Sequence, residues 1–168
     1  FGEVKLIRRF DRSFDELWER VAPRFDLAVR RDSAYLQWKY LSPPHVRYTI
    51  AALIRDDRPE GYVVYRHAHE ARGRVTIVVD FLVDPDDRDG LQTLLRWVDR
   101  EARAADSDKI RCFCLHDAFG RTLKGEGYSA VKSTLQFVVK VNALSVPPDF
   151  YTRTDRWHIM LGDSDQDR

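Results

Sequence analysis

The chain has 168 residues, of which 43% are hydrophobic and 33% are charged, a composition typical of one soluble globular domain. The 28 Lys and Arg side chains nearly balance the 27 acids and are scattered along the chain, which argues against a nucleic-acid partner. No apolar run approaches the roughly 18 residues that cross a bilayer, so we expect no membrane partner. Cys112 and Cys114 are predicted to be reduced core thiols, which indicates a cytoplasmic location.

The first 46 residues predict one short strand and two helices. Residues 4–7 alternate as a strand does, and Ser13-Phe14-Asp15-Glu16 matches a capping box, which predicts that the first helix begins at Ser13. Pro23 ends this helix. A second helix is predicted from Asp32-Ser33, and Pro43-Pro44 terminates it.

Residues 47–161 predict the core of the sheet. Strands at 48–54 and 62–66 form a hairpin, and their turn is rich in Asp, Pro and Gly. The nearly unbroken β-branched run at 75–83 predicts a strand buried on both faces, at the centre of the sheet.

Apolar residues at helical spacing predict a long helix over 90–105, followed by a strand at 110–115. A strand, a helix and a strand in this order predict a parallel pair. A short helix over 118–124 and strands at 131–141 and 157–161 complete the pattern.

These elements predict a single α/β (α+β) domain over residues 1–168. Its sheet is mixed and mostly antiparallel, with a parallel strand pair at a cleft and helices on the flanks. Residues 162–168 form an acidic tail. Because the chain opens on Phe1 and not on Met, we expect it to be part of a longer polypeptide.

Over residues 48–161 this order resembles the GNAT N-acyltransferase superfamily. The chain is also similar to a bacterial group of GNAT-like domains often found as one half of a longer protein. That group carries a Tyr-Leu-x-Trp-(Arg/Lys)-Tyr-x-x-Pro segment, which is present from Tyr35 to Pro43. It also tends to end in Trp-x-x-x-x-Gly-Asp-x-Asp, as the stretch from Trp157 to Asp165 does.

The resemblance implies acetyl-CoA or another acyl-CoA as the donor. In active relatives the pyrophosphate lies on backbone amides of an Arg/Gln-x-x-Gly-x-Gly/Ala loop at a helix start, where the amides and the helix dipole favour its charge. Here Gly90 is kept, but Asp87 and Gln92 replace the first and last residues of the loop. Acids at this place repel phosphate, and they are also the ordinary capping preference of a helix. The implied donor-binding residues are Phe81, Leu82, Val83, Arg88, Asp89, Gly90 and Leu91.

The family's cleft directs attention to Asp80 and His116 as catalytic candidates. Asp80 interrupts an apolar buried strand, so it is either a general base with a raised pKa or a structural partner for an Arg or a backbone amide. His116, at the exit of the parallel strand, either relays a proton or serves as a helix cap or surface residue. Leu123 stands where many members carry a general-acid Tyr. His67 and His69 lack a third ligand nearby, so no metal site is predicted.

Two functions follow as hypotheses. The first is an N-acyltransferase acting on an unidentified amine of a small molecule, a sugar or a peptide. The second is a non-catalytic GNAT-like module, a structural or dimerisation partner in a tandem GNAT protein or a homodimer. The second hypothesis predicts a cleft filled by the protein's own side chains.

Overall fold

The computed structural model describes residues 2–133 and 149–164, with the single residues 138, 140, 145 and 147 between them. Within these residues the chain forms helices on both sides of one main sheet, and a π-helical turn continues the second helix. The helices are α1 (Arg12–Val21), α2 (Ser33–Leu36), α3 (Arg88–Ala104) and α4 (Asp117–Gly125), and the π-helical turn is Gln37–Leu41. The strands are β1 (Glu3–Leu6), β2 (Leu27–Ala28), β3 (Thr49–Arg55), β4 (Arg58–Glu70), β5 (Gly73–Val83), β6 (Lys109–Cys112) and β7 (Trp157–His158).

The main sheet has the strand order β1-β3-β4-β5-β6. Its first three pairings are antiparallel, and β5 pairs with β6 in parallel. The predicted fold class is therefore confirmed: a mostly antiparallel mixed sheet with one parallel pair. β5 is an interior strand, but β4 and not β5 is the middle strand of the five described.

The core forms where the sequence patterns predict it. Every residue of β5 from Val75 to Val83 is buried, which is why this stretch reads as a continuous β-branched run. α3 packs its apolar stripe on the sheet, and each fully buried aliphatic side chain contributes roughly 1.5–3 kcal/mol. The buried stripe consists of Leu91, Leu94, Leu95, Val98 and Ala102.

The start of α1 differs from the prediction. The N-cap is Asp11 and not Ser13, because the Asp11 carboxylate accepts the Ser13 N–H at 2.9 Å. Ser13 already lies inside the first turn. Asp15 accepts the Ser33 N–H at 2.7 Å and so joins α1 to α2.

The strands after α3 also differ from the prediction. β6 stops at Cys112 and not at residue 115, and its pairing with β5 ends at the Val78–Cys112 pair. The predicted strand 157–161 is reduced to β7, which pairs in parallel with β2 and is followed by a 3₁₀ turn, Leu161–Asp163. The predicted strand 131–141 falls largely outside the described residues, and so does most of the acidic tail.

Candidate functional site

The predicted site lies where β5 and β6 separate. The two strands pair from Val75–Lys109 to Val78–Cys112, and β5 then continues to Val83 without a β6 neighbour. The resemblance to the GNAT superfamily implies that the acyl-CoA donor binds in this opening. Phe81, Leu82 and Val83, the predicted donor-binding residues, lie along it and are fully buried.

The opening is occupied by residues 157–163, here called the C-terminal strap. His158 Nε2 lies 2.7 Å from the Phe81 carbonyl oxygen, and Met160 forms an antiparallel bridge with Cys114, just past β6. The strap therefore contacts both sides of the opening. Trp157, His158 and Met160 are at most 1% exposed, so they pack as core residues do.

The contact to the Phe81 carbonyl fixes the tautomer of His158. A carbonyl oxygen only accepts, so Nε2 carries the proton and Nδ1 does not. Burial lowers the pKa of His158 well below its usual value, so the ring is neutral in the folded chain. It stacks on Phe25 with 4.7 Å between ring centroids and meets Phe119 edge-on.

Asp80 is the centre of a buried polar cluster beside the strap. Both of its carboxylate oxygens accept from Arg31 Nε, at 3.1 and 3.2 Å. The Tyr40 and Tyr62 hydroxyls donate to Asp80 Oδ2 at 3.1 and 3.2 Å. Burial raises the pKa of Asp80 to about 6, against the opposing effect of the Arg31 charge.

Arg31 joins the Asp80 cluster to the strap. Its Nη2 donates to Asp163 Oδ2 at 2.7 Å, and its Nη1 donates to the Val29 carbonyl oxygen at 2.8 Å. Burial disfavours the guanidinium charge, but the two carboxylates outweigh that effect and raise the pKa of Arg31 well above its usual value. One buried cation thus holds a strand of the sheet and the strap together.

His116 lies at the start of α4 as its N-cap. Its Nδ1 accepts the Ala118 N–H at 3.3 Å, and its ring contacts Phe25 and Phe119. Burial lowers the pKa of His116. Among the contacts of the described residues, none joins His116 to Asp80, so the two catalytic candidates do not form a proton-transfer pair.

The start of α3, where the donor pyrophosphate is expected, is capped by the chain's own acids. Asp87 Oδ1 accepts the Gly90 N–H at 2.9 Å, and a Cβ at Gly90 would overlap that carboxylate. Arg55 donates to both oxygens of the same carboxylate, from Nη1 to Oδ2 at 2.5 Å and from Nη2 to Oδ1 at 3.2 Å. Arg24 pairs with Asp86.

Acyl-CoA does not fit the residues present. The Gly90 amide that would hold its pyrophosphate already binds a carboxylate, and three further acids flank that place. The Phe81 carbonyl, on the open edge of β5, is bonded to the strap. The strap also contacts the segment just past β6. A donor bound as in active relatives would have to displace the strap and the Asp87 cap.

The donor-binding roles of Arg88, Asp89 and Leu91 stay predictions. Arg88 and Asp89 are exposed on the first turn of α3, whereas Leu91 is buried beneath it. Cys112 and Cys114 are unpaired and half-buried. In the described part of the chain no three His, Cys, Asp or Glu side chains are placed to hold a metal ion. No helix there is both long and apolar enough to cross a membrane.

Sequence reasoning missed most of the buried cluster. Two of its members lie in the two short segments on which the resemblance to a bacterial GNAT-like group rests. Tyr40 belongs to the first segment and Asp163 to the second, and both meet at Arg31 and Asp80. Those segments, more than 110 residues apart in the chain, were the available signal. The missed residues are Arg31, Tyr40, Tyr62, His158 and Asp163.

Comparisons with known proteins identify the fold. No protein-family model and no curated protein matches the sequence. Among solved structures, a ribosomal-protein-alanine N-acetyltransferase from Brucella melitensis biovar Abortus 2308 superposes with a TM-score of 0.60 at 17% identity, over 84% of this chain and all of its own. An aminoglycoside acetyltransferase from an uncultured soil metagenomic sample, in complex with trehalose, gives a TM-score of 0.57 at 13% identity, over 84% and 97% of the two chains.

A third similar structure contains CoA. It is an aminoglycoside N-acetyltransferase in complex with CoA, with a TM-score of 0.54 at 10% identity, over 83% of this chain and all of its own. These identities are too low to transfer an activity, but the superpositions span each relative almost completely. The chain therefore has the fold of the GNAT N-acetyltransferases.

Proposed function

We propose that the chain is a non-catalytic GNAT-like module that serves as a structural or dimerisation partner of another domain. The observation that carries this proposal is the C-terminal strap, which occupies the opening between β5 and β6 and bonds the Phe81 carbonyl. The acid cap on α3 supports it independently, since Asp87 takes the place of an anionic ligand at the Gly90 amide.

The surface offers a feature that suits a partner. Trp38 is 62% exposed, although it lies in the same segment as the buried Tyr40. It borders a recess of about 260 Å³, and exposed aromatic side chains are enriched at protein interfaces. The recess is lined by Trp38, Lys39, Ser42, Pro43, His45 and Tyr48.

Isothermal titration calorimetry with acetyl-CoA tests the proposal. We expect no heat of binding at millimolar ligand, because binding must displace both the strap and the Asp87 cap. The matched variant is Asp87→Ala, which frees the Gly90 amide but leaves the strap closed, and we expect no heat from it either. A saturable heat with the wild-type chain would contradict the proposal.

The second candidate is a GNAT-type N-acyltransferase acting on an unidentified amine. It is favoured by the separation of β5 from β6 beyond Val78 and by the similar fold of a CoA-bound relative. Asp80, whose pKa is raised to about 6 by burial, would be its general base. An assay for thiol release from acetyl-CoA with a panel of aminoglycosides and peptide amines tests it, and amine-dependent thiol release would replace the first proposal by this one.

A further inference from the structure

We infer that the C-terminal strap opens from the sheet as a unit, and that the Arg31–Asp163 ion pair is the latch that keeps it closed. The inference deepens the proposed function and rests on the same occupied opening between β5 and β6. It adds a conformational device: the opening is closed by a segment that comes away while β3, β4 and β5 remain folded.

Discrete contacts, rather than a continuous ladder, hold the strap to the sheet. β4 and β5 form one long hairpin, paired from Gly61–Val83 to Glu70–Gly73 with a single bulge. The strap, in contrast, pairs with β2 over only two residues and makes an isolated bridge through Met160. Few backbone hydrogen bonds lower the free energy of opening, whereas the burial of Trp157 and Met160 opposes it.

Hydrogen bonding within the closed strap is also incomplete. Within the described residues, Asp163 Oδ1 and His158 Nδ1 are buried and have no hydrogen-bond partner. Each such atom destabilises the closed state, and water reaches both when the strap opens. Opening therefore relieves the cost of these two atoms.

Asp163 couples the latch to the shape of the strap. Its Oδ2 accepts from Arg31 Nη2 at 2.7 Å and from the Met160 N–H at 2.9 Å. The same oxygen thus fixes the strap to the cation and closes the 3₁₀ turn of the strap. Loss of the Asp163 charge weakens both contacts together, so the strap is expected to leave as one piece.

Close packing at Gly162 completes the closed state. A Cβ at this position would overlap the Tyr40 hydroxyl and lie 3.2 Å from a Val79 methyl group. Tyr40 is held by its hydrogen bond to Asp80, so it has little freedom to move aside. The strap closes fully only because residue 162 lacks a side chain.

Native-state hydrogen exchange followed by mass spectrometry tests the inference on the wild-type chain. We expect amides of residues 157–163 to exchange together, at least tenfold faster than those of β4 and β5. If the strap exchanged at the same rate as those strands, it would open only with global unfolding, and the inference would be wrong.

Two variants test the latch, each with a matched control. Asp163→Asn removes the latch charge, and Asp155→Asn removes an exposed carboxylate from the same region. Gly162→Ala blocks closure, and Gly120→Ala adds a methyl group where nothing lies within 4 Å. Asp163→Asn and Gly162→Ala should each speed exchange of the strap at least tenfold and keep it faster than exchange of β4, whereas the controls should match wild type.

The exchange measurements test the latch, and the calorimetry tests the proposed function independently. No acceleration in the strap, or strap exchange no faster than that of β4, would overturn the role of the latch and leave the proposed function standing. Saturable binding of acetyl-CoA to a chain whose strap exchanges tenfold faster than β4 would overturn the proposed function and support the opening strap.

Discussion

Replacing Arg31 by Met is expected to cost more stability than any surface change in this chain. Arg31 is fully buried between Asp80 and Asp163, and it also donates to the Val29 carbonyl. Removing one partner of a buried ion pair typically costs about 3–5 kcal/mol, because a charge is left in the core without compensation. For a domain of this length each kcal/mol lowers Tm by roughly 2–4 °C, so Arg31→Met should melt about 6–20 °C below wild type.

Urea unfolding at neutral pH, followed by far-UV circular dichroism, measures this cost. The matched control is Arg30→Met, since Arg30 is the preceding residue, is 76% exposed and pairs with Asp32 at the surface. An exposed pair contributes about 0–1 kcal/mol, so the control should remain close to wild type. If both variants lost the same free energy of unfolding, or if Arg31→Met lost less than about 1 kcal/mol, the cluster would not stabilise the fold as argued.

Three further predictions concern Asp80, α3 and Trp38. Burial raises the pKa of Asp80 to about 6. The protonated carboxyl therefore stabilises the folded state fully below about pH 4, and this stabilisation is lost as pH rises through 6. From neutral pH to pH 4 the free energy of unfolding of wild type should rise by about 3 kcal/mol relative to that of Asp80→Asn, and parallel urea profiles would contradict this. Asp87→Ala removes the cap of α3 and should cost about 1–2 kcal/mol by thermal melting, against almost nothing for exposed Asp89→Ala. Trp38→Ala should change the free energy of unfolding by less than about 0.5 kcal/mol, and a much larger loss would place its ring in the core.

The sheet and its main helix were predictable because their signals are local. β5 reads as a strand buried on both faces from its own residues, and the apolar stripe of α3 repeats at helical spacing. The start of α1 was misplaced because Asp11 and Ser13 are both good N-cap residues, and only the backbone decides between them.

The buried cluster was not predictable from local patterns. Asp80 stood out as a carboxylate in an apolar strand, and one of its two predicted roles was pairing with an Arg. Its partner Arg31 lies 49 residues away, and Arg31 in turn meets Asp163 across 132 residues. No periodicity links such distant positions. The same limit hid the strap, since the sequence predicts its residues as a further strand and not as the occupant of the opening.

A crystal structure grown with millimolar acetyl-CoA is the most direct test of whether the opening between β5 and β6 belongs to the strap. We expect residues 157–163 in the opening, with Asp163 Oδ2 about 2.7 Å from Arg31 Nη2, His158 on the Phe81 carbonyl, and Asp87 on the Gly90 amide. A structure with CoA between the strands, its pyrophosphate at Gly90 and the strap displaced, would contradict the proposed function.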